Sequence, residues 1–267
     1  MLESERHRLI LKLVEERSIV SVTDLVDLLG ASEATIRRDI NAMGERGEIR
    51  RIRGGAEAVH ARHQAHLVGR PFSLSQAINA PQKRAIARAA AALIGKDDSL
   101  IINGGSTTYA LVEFLVHSEL DILTNSFPIA AQLFSTSRNR ITLPGGTIFR
   151  EQNIVLSPFK NDTIDNFWGR KLFTGCYGLN RFGMMEADPL IVQAETKLLQ
   201  RAEELVVLAD SSKLRQQSSM IVAGLDRIHT LVTDDGAHAE ELEVFKAAGI
   251  KVIVAEVAEE DRLSKLA

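Results

Sequence analysis

Seven short apolar runs, at residues 99–103, 120–125, 140–144, 171–177, 204–210, 230–234 and 251–255, punctuate the last two thirds of this chain. None approaches the roughly 20 apolar residues that span a bilayer, and each has the length of a buried strand. Helical patterns lie between most of them, at 107–117, 127–135, 187–202 and 238–248, with another at 81–94 ahead of the first run. Strand and helix in alternation predict a mainly parallel, Rossmann-like sheet with helices on both faces. Ligands of such sheets sit beyond the carboxyl ends of the strands.

Polar and glycine clusters fall at those ends. Asn103, Gly104, Gly105, Ser106, Thr107 and Thr108 follow the first run, and Thr124, Asn125 and Ser126 close the second. Pro144, Gly145, Gly146 and Thr147 close the third, with Arg150, Glu151 and Gln152 just after. Gly178, Leu179 and Asn180 follow the fourth, and Asp210, Ser211, Ser212 and Lys213 the fifth. Glycines let a backbone approach a ligand closely, and free amides with hydroxyls at a helix start bind phosphate or another anion. The first cluster is neither a Walker A loop nor a GxGxxG fingerprint; alone it favours an anion site over a plain βα turn. Together the clusters predict a pocket for a polar, hydroxyl-rich, phosphorylated small molecule. Lys197 joins that pocket if its ammonium faces the sheet end, and is a surface lysine if it faces water.

The first 57 residues follow another pattern. Leu9, Ile10, Leu13 and Val14 make one apolar stripe. Ser21 with Asp24 opens a second helix, which Gly30 ends, and Ser32 caps a third running to about Gly44. Ile36, Ile40 and Met43 form its buried face, so Ala34, Arg38, Asn41 and Glu45 point away with Thr35 and Arg37 on the flanks. Alternating Ile49, Arg50, Arg51, Ile52 and Arg53 before Gly54 and Gly55 predict a cationic β-hairpin. This is a winged helix-turn-helix, whose third helix fits the major groove of double-stranded DNA. Its expected DNA contacts are Ser32, Glu33, Ala34, Thr35, Arg37, Arg38, Asn41, Arg50, Arg51 and Arg53. The whole chain carries a formal charge of −3, which excludes a uniformly basic coat, yet residues 34–54 hold six arginines against three acids.

Thr35, Arg37, Arg38, Asp39 and Ile40 with Gly54, Gly55 and Ala56 match the T-x-R-R-D-[IL] helix and GGA wing of the DeoR family of bacterial transcription repressors, which the chain resembles over nearly its whole length. The resemblance implies a sensor domain akin in fold to ribose-5-phosphate isomerase and glucosamine-6-phosphate deaminase. It also implies a sugar-phosphate-type effector held by Gly105, Ser106, Thr107, Thr108, Asn125, Ser126, Gly145, Gly146, Glu151, Lys197 and Asp210. To these the strand-end reading adds Asn103, Gly104, Gly178 and Lys213. Residues 154–159 and 184–189 resemble a subgroup that includes regulators of ascorbate and rhamnose use. Many members carry two acids after the fourth strand, where this chain has Gly175, Cys176, Tyr177, Gly178, Leu179 and Asn180.

The expected organisation is a DNA-binding domain at 1–57, a linker at 58–80, a sugar-phosphate-sensing domain at 81–257 and a tail at 258–267. The expected function is repression of a carbohydrate-catabolism operon by a cytoplasmic homo-oligomer, dimer or tetramer. The competing reading is an isomerase- or deaminase-like enzyme with an attached DNA-binding module; the missing acids disfavour it. No metal site or cofactor is expected. His60, His63 and His66 lack partners of matching spacing, and Cys176, the single cysteine, reads as a small buried residue within its strand and points to a reducing compartment.

Overall fold

Helix α1 (Glu3–Arg17) buries Ile10 and Val14 completely and leads into strand β1 (Ile19–Ser21). Ser21 caps α2 (Val22–Leu29): its hydroxyl accepts from the Asp24 amide at 3.0 Å, and the Asp24 carboxylate accepts from the Ser21 amide. A cap of this kind contributes about 1 kcal/mol. Gly30 ends α2 in the left-handed conformation, and Ser32 caps α3 (Glu33–Glu45) by accepting from the Thr35 amide. Strands β2 (Ile49–Ile52) and β3 (Gly55–Ala58) form an antiparallel hairpin, with β1 on the far side of β3. A side chain on Gly55 would drive into the Val20 carbonyl, which is why the wing returns through glycine. Leu25, Ile36, Ile40, Met43, Ile49 and Ala56 complete the core with α1.

The computed structural model describes residues 3–17, 19–52, 54–58 and 72–258 of the 267. Arg53, His60, His63, His66 and the last nine residues lie outside them. The chain divides into two compact units, Met1–Leu67 and Val68–Ala267. No described helix is long and apolar enough to cross a membrane.

The second unit opens with α4 (Phe72–Ala77) and α5 (Ala80–Ala91). The first of these corrects the expectation of an unstructured connector up to residue 80. Its six residues are too few to register as a periodic pattern. Then follow β4 (Ser99–Ile102), α6 (Ser106–Ala110), β5 (Asp121–Thr124), α7 (Phe127–Thr136), β6 (Arg140–Thr142) and a hairpin, β7 (Thr147–Phe149) with β8 (Ile154–Leu156). The second half contains β9 (Gly169–Thr174), β10 (Gly178–Asn180), β11 (Gly183–Glu186), α8 (Pro189–Leu199), β12 (Ala202–Leu208), β13 (Met220–Ala223), β14 (Thr230–Asp234), α9 (Ala239–Ala247) and β15 (Lys251–Ala255).

Seven of these strands form one sheet in the order β15-β14-β12-β9-β4-β5-β6, every neighbouring pair parallel. Alternate residues face opposite layers. Leu100 and Ile102 pack with Ile86 and Ala90 of α5 and Leu133 of α7, while Ile101 packs with Leu198 of α8 and Phe245 of α9. Strands β10, β11 and β13 make a separate antiparallel sheet. From β4 the chain builds outward to β5 and β6, and from β9 it builds the other way to β12, β14 and β15. The direction of winding therefore reverses between β4 and β9, where an open α/β sheet leaves a crevice. Strand β9 ends at Thr174, so Cys176 lies in the following loop and not in the strand as expected, half-buried against the core beneath it.

Candidate functional site

On α3, Ile36, Asp39, Ile40 and Met43 are buried, and Glu33, Ala34, Arg37, Arg38 and Asn41 are exposed. Arg37 reaches back one turn to Glu33 at 2.7 Å. Arg38 has no side-chain hydrogen bond or ion pair among the described residues, which leaves its five donors to water or to a ligand. Asn41 accepts from Arg51 at 2.9 Å, tying the helix to the wing, and Arg50 is paired with Glu57 at 2.6 Å. A shallow groove between α3 and β2 is lined by Asn41, Gly44, Glu45, Ile49, Arg50 and Arg51. Of the expected DNA contacts, Ser32, Glu33, Ala34, Arg37, Arg38, Asn41, Arg50 and Arg51 are exposed, Thr35 is half-buried, and Arg53 lies outside the described residues.

That face is held from behind. The Asp39 carboxylate takes two hydrogen bonds from Arg6 and faces His7 Nε2 at 3.0 Å. Arg46 Nη2 lies 3.1 Å from His7 Nδ1; since arginine only donates, Nδ1 accepts and Nε2 carries the proton donated to Asp39. Burial pushes the Asp39 carboxyl upward, but the hydrogen bonds from Arg6 and His7 outweigh it and hold the group below its ordinary value.

In the second unit the crevice between β4 and β9 gathers buried polar groups. Asn103, the first residue after β4, donates from Nδ2 to Thr174 Oγ1 at 2.9 Å and to Glu195 Oε1 at 2.6 Å. Its neighbour Gly104 donates its amide to Asn125 Oδ1 at 2.8 Å. A side chain on Gly104 would collide with Ile154 of β8, whose hairpin covers this turn. Thr108 returns its hydroxyl to the Asn103 carbonyl, and Ser126 caps α7. Ser106 starts α6 and Thr107 is buried in it beside Thr108. The turn after β4 is therefore over-determined, and it anchors two side chains that are left half satisfied. Glu195 Oε2 and Asn125 Nδ2 are fully buried with no hydrogen-bond partner among the described residues. Such orphaned groups cost about 1–3 kcal/mol each.

The acids here are perturbed. Burial pushes Glu195 well above the ordinary carboxyl range, and the charge of Glu186 adds to this against the hydrogen bond from Asn103. Burial likewise pushes Glu186 up to about 7, against hydrogen bonds from the amides of Tyr177 and Ala187. The Cys176 thiol is also pushed up by burial. Lys213 lies 5.7 Å from the centre of the Tyr177 ring and 3.3 Å from Gln216 Oε1, with no carboxylate ion pair among the described residues. Asp210 is already occupied by Ser212 and by Asn79 Nδ2 at 3.1 Å.

Gly145 is open to solvent, Gly146 packs on the Leu156 carbonyl in the β7–β8 hairpin, and the Glu151 carbonyl accepts from the Phe72 amide. Gly178 packs against the Gln216 carbonyl. Lys197 donates to Asp162 at 2.7 Å and to the Phe159 carbonyl at 2.9 Å. Two residues along a helix from Glu195 it emerges on the far side, so the structure does not bring it to the Asn103 turn. Glu186 and Glu195 were not anticipated. The signal for Glu195 was its place in the stripe Ile191, Glu195, Leu198 and Leu199, an acid where the helix is otherwise apolar.

The two halves have counterparts elsewhere. Residues 6–62 match the family model of the DeoR-like helix-turn-helix domain, and residues 78–235 that of the DeoR C terminal sensor domain. The HTH-type transcriptional regulator UlaR of Shigella flexneri is 34% identical over 253 residues, covering 95% of this chain and 99% of that protein. UlaR of Escherichia coli O9:H4 (strain HS) shows the same identity and coverage. Among solved structures, ribose 5 phosphate isomerase A from Neisseria gonorrhoeae aligns with a TM-score of 0.38 at 16% identity, over 49% of this chain and 52% of that one. The full-length sorbitol operon regulator SorC from Klebsiella pneumoniae aligns with a TM-score of 0.33 at 11% identity, over 97% and 98%. The relatives that match end to end are regulators, which sets aside the isomerase- or deaminase-like alternative. With both family models matched in order and relatives alike along almost their full length, this chain belongs to the DeoR family of helix-turn-helix transcriptional regulators.

Proposed function

We propose that the protein is a cytoplasmic repressor of a carbohydrate-catabolism operon, released from its operator by a phosphorylated sugar or related metabolite. The observation that carries this reading is the pairing, in one chain, of an exposed recognition helix with a free arginine and a crevice with unsatisfied buried polar groups. Thr35, Arg37, Arg38 and Asn41 read base edges in the major groove, while Arg50, Arg51 and Arg53 of the wing hold phosphates. Two copies in a symmetric oligomer read a repeated operator. The effector lies at the strand ends, against Asn103, Gly104, Asn125, Asp210 and Lys213, and stabilises an arrangement in which the DNA-binding units are misplaced. By linkage, operator DNA weakens effector binding by the same factor.

The test is fluorescence anisotropy of the full chain on a labelled duplex from its own upstream region. Sugar and polyol phosphates of four to six carbons are added in turn. Tight, salt-dependent binding that one of these compounds reverses is the expected result. Binding that none of them alters would refute the effector assignment and leave the DNA-binding assignment intact.

A further inference from the structure

The two orphaned atoms in the crevice belong together. Glu195 and Asn125 come from elements far apart in sequence, yet each is fixed by its other side-chain atom to one of two consecutive residues, Asn103 and Gly104. Both side chains are more than nine-tenths buried. Their free atoms, Glu195 Oε2 and Asn125 Nδ2, therefore flank one turn and are held in place before any ligand arrives.

We propose that this pair binds the hydroxyl-bearing, uncharged end of the effector, and that the anionic end of the same molecule lies toward Lys213. The assignment rests on the effector-site reading above and gives the bound molecule a direction.

The chemistry favours hydroxyls at Glu195. A hydroxyl both donates and accepts, so it satisfies an amide nitrogen and a carboxyl oxygen whichever protonation state the acid holds. A phosphate there would face Glu195, with Glu186 close enough to act on it, and would find no cation among the groups that act on Glu195. Lys213 stands over the ring of Tyr177, whose amide donates to Glu186 at 2.7 Å, and has no carboxylate ion pair among the described residues. Lys213 is absent from the groups that act on Glu195, so the hydroxyls go to Glu195 and Asn125 and the phosphate to Lys213, as suits a polyol carrying one phosphate.

Thermal-shift screening of the full chain with tetritol, pentitol and hexitol phosphates and the matching sugar phosphates selects the strongest binder. Isothermal titration then compares that compound and its single-deoxy analogues on the wild type, Glu195→Leu, Glu195→Gln and Asn125→Ala. Glu195→Leu removes one buried orphan but strands one amide hydrogen of Asn103, so it is expected to melt close to the wild type, and to bind at least about 30-fold more weakly. Glu195→Gln is expected to stay within about 5-fold of the wild type, since it keeps an acceptor for Asn103 and a polar atom for the ligand. One deoxy analogue is expected to lose as much on the wild type as Glu195→Leu loses on the parent compound, with no further loss when the two are combined. Folded Glu195→Leu and Asn125→Ala proteins with unchanged affinity, or fully additive losses, would overturn the assignment while the effector site stands. A wild type that binds no compound of the panel overturns both.

Discussion

Arg6 of α1 grips Asp39 of α3 with two nitrogens, Nε to Oδ2 at 2.5 Å and Nη2 to Oδ1 at 3.0 Å. Asp39 follows Arg38 directly, and the two face opposite ways: one is buried against α1, the other exposed. The motif on this helix therefore contains both an outward-facing cation and the acid that ties the helix to α1.

Replacing that acid should loosen the first unit. Asp39→Ala leaves Arg6 and His7 without their shared acceptor, and we expect a loss of about 2–3 kcal/mol in thermal unfolding followed by circular dichroism. The pH dependence has a definite sign. A carboxyl held below its ordinary value in the folded state contributes stability that is complete above about pH 4, its unfolded value, and is lost as pH falls further. The wild type should lose this contribution on acidification below pH 4, whereas Asp39→Asn should show no corresponding loss. Parallel acid transitions of the two proteins would remove Asp39 from this role.

Arg38 tests the outward half of the motif. Because it is exposed and has no described partner to strand, Arg38→Ala should leave melting unchanged. It should weaken operator binding by about 1–3 kcal/mol and reduce discrimination against unrelated duplexes. Gel-shift titration with operator and scrambled DNA gives the answer; an unchanged preference for the operator would place the specific contact elsewhere.

Lys197 should behave as a structural cation. Its ammonium satisfies Asp162, whose side chain is 5% exposed. Among the described residues, Lys197→Ala leaves that carboxylate with Ser157 and the Ile164 amide. A stability loss of about 1–2 kcal/mol is expected, with effector affinity unchanged in calorimetry. A protein that melts normally but no longer responds to effector would return Lys197 to the pocket.

Glu186 predicts an opposite pH profile to Asp39. Its folded value is pushed up to about 7 by burial, so the folded protein is favoured by its neutral form. That contribution is complete below about pH 4.5 and is lost as pH rises through 7. Glu186→Gln keeps an acceptor for the Tyr177 amide and removes the charge. It should raise the melting temperature at pH 8 while leaving it nearly unchanged at pH 4.5. Equal shifts at both values would show that Glu186 is ionised throughout.

What could be read from the sequence was what is decided locally. Ser21 with Asp24, Gly30 and Ser32 announce helix boundaries because caps are short-range hydrogen bonds, and the apolar runs announce the sheet because its inner strands are buried on both faces. The β7–β8 hairpin and the β10–β11–β13 sheet were missed. Their strands are three or four residues long, below the length at which alternation becomes a signal, and β13 meets β11 only through tertiary contact. The crevice was legible as polar turns after Leu100–Ile102 and Ile122–Thr124, but its acids were not. Glu195 arrives on a helix and Glu186 on a missed strand, and only the fold sets them beside Asn103 and Tyr177. Lys197 shows the converse: its type suited a phosphate, and the direction of its side chain decided otherwise.

The hydrogen bond from Asn103 to Glu195 spans 92 residues of chain. During synthesis the turn after β4 leaves the ribosome long before its acid does, and the recognition helix leaves earlier still. The unit that grips DNA is thus complete while the crevice is still missing one wall. On the function proposed above, a nascent or truncated chain ending before α8 would carry its recognition helix without a complete effector crevice.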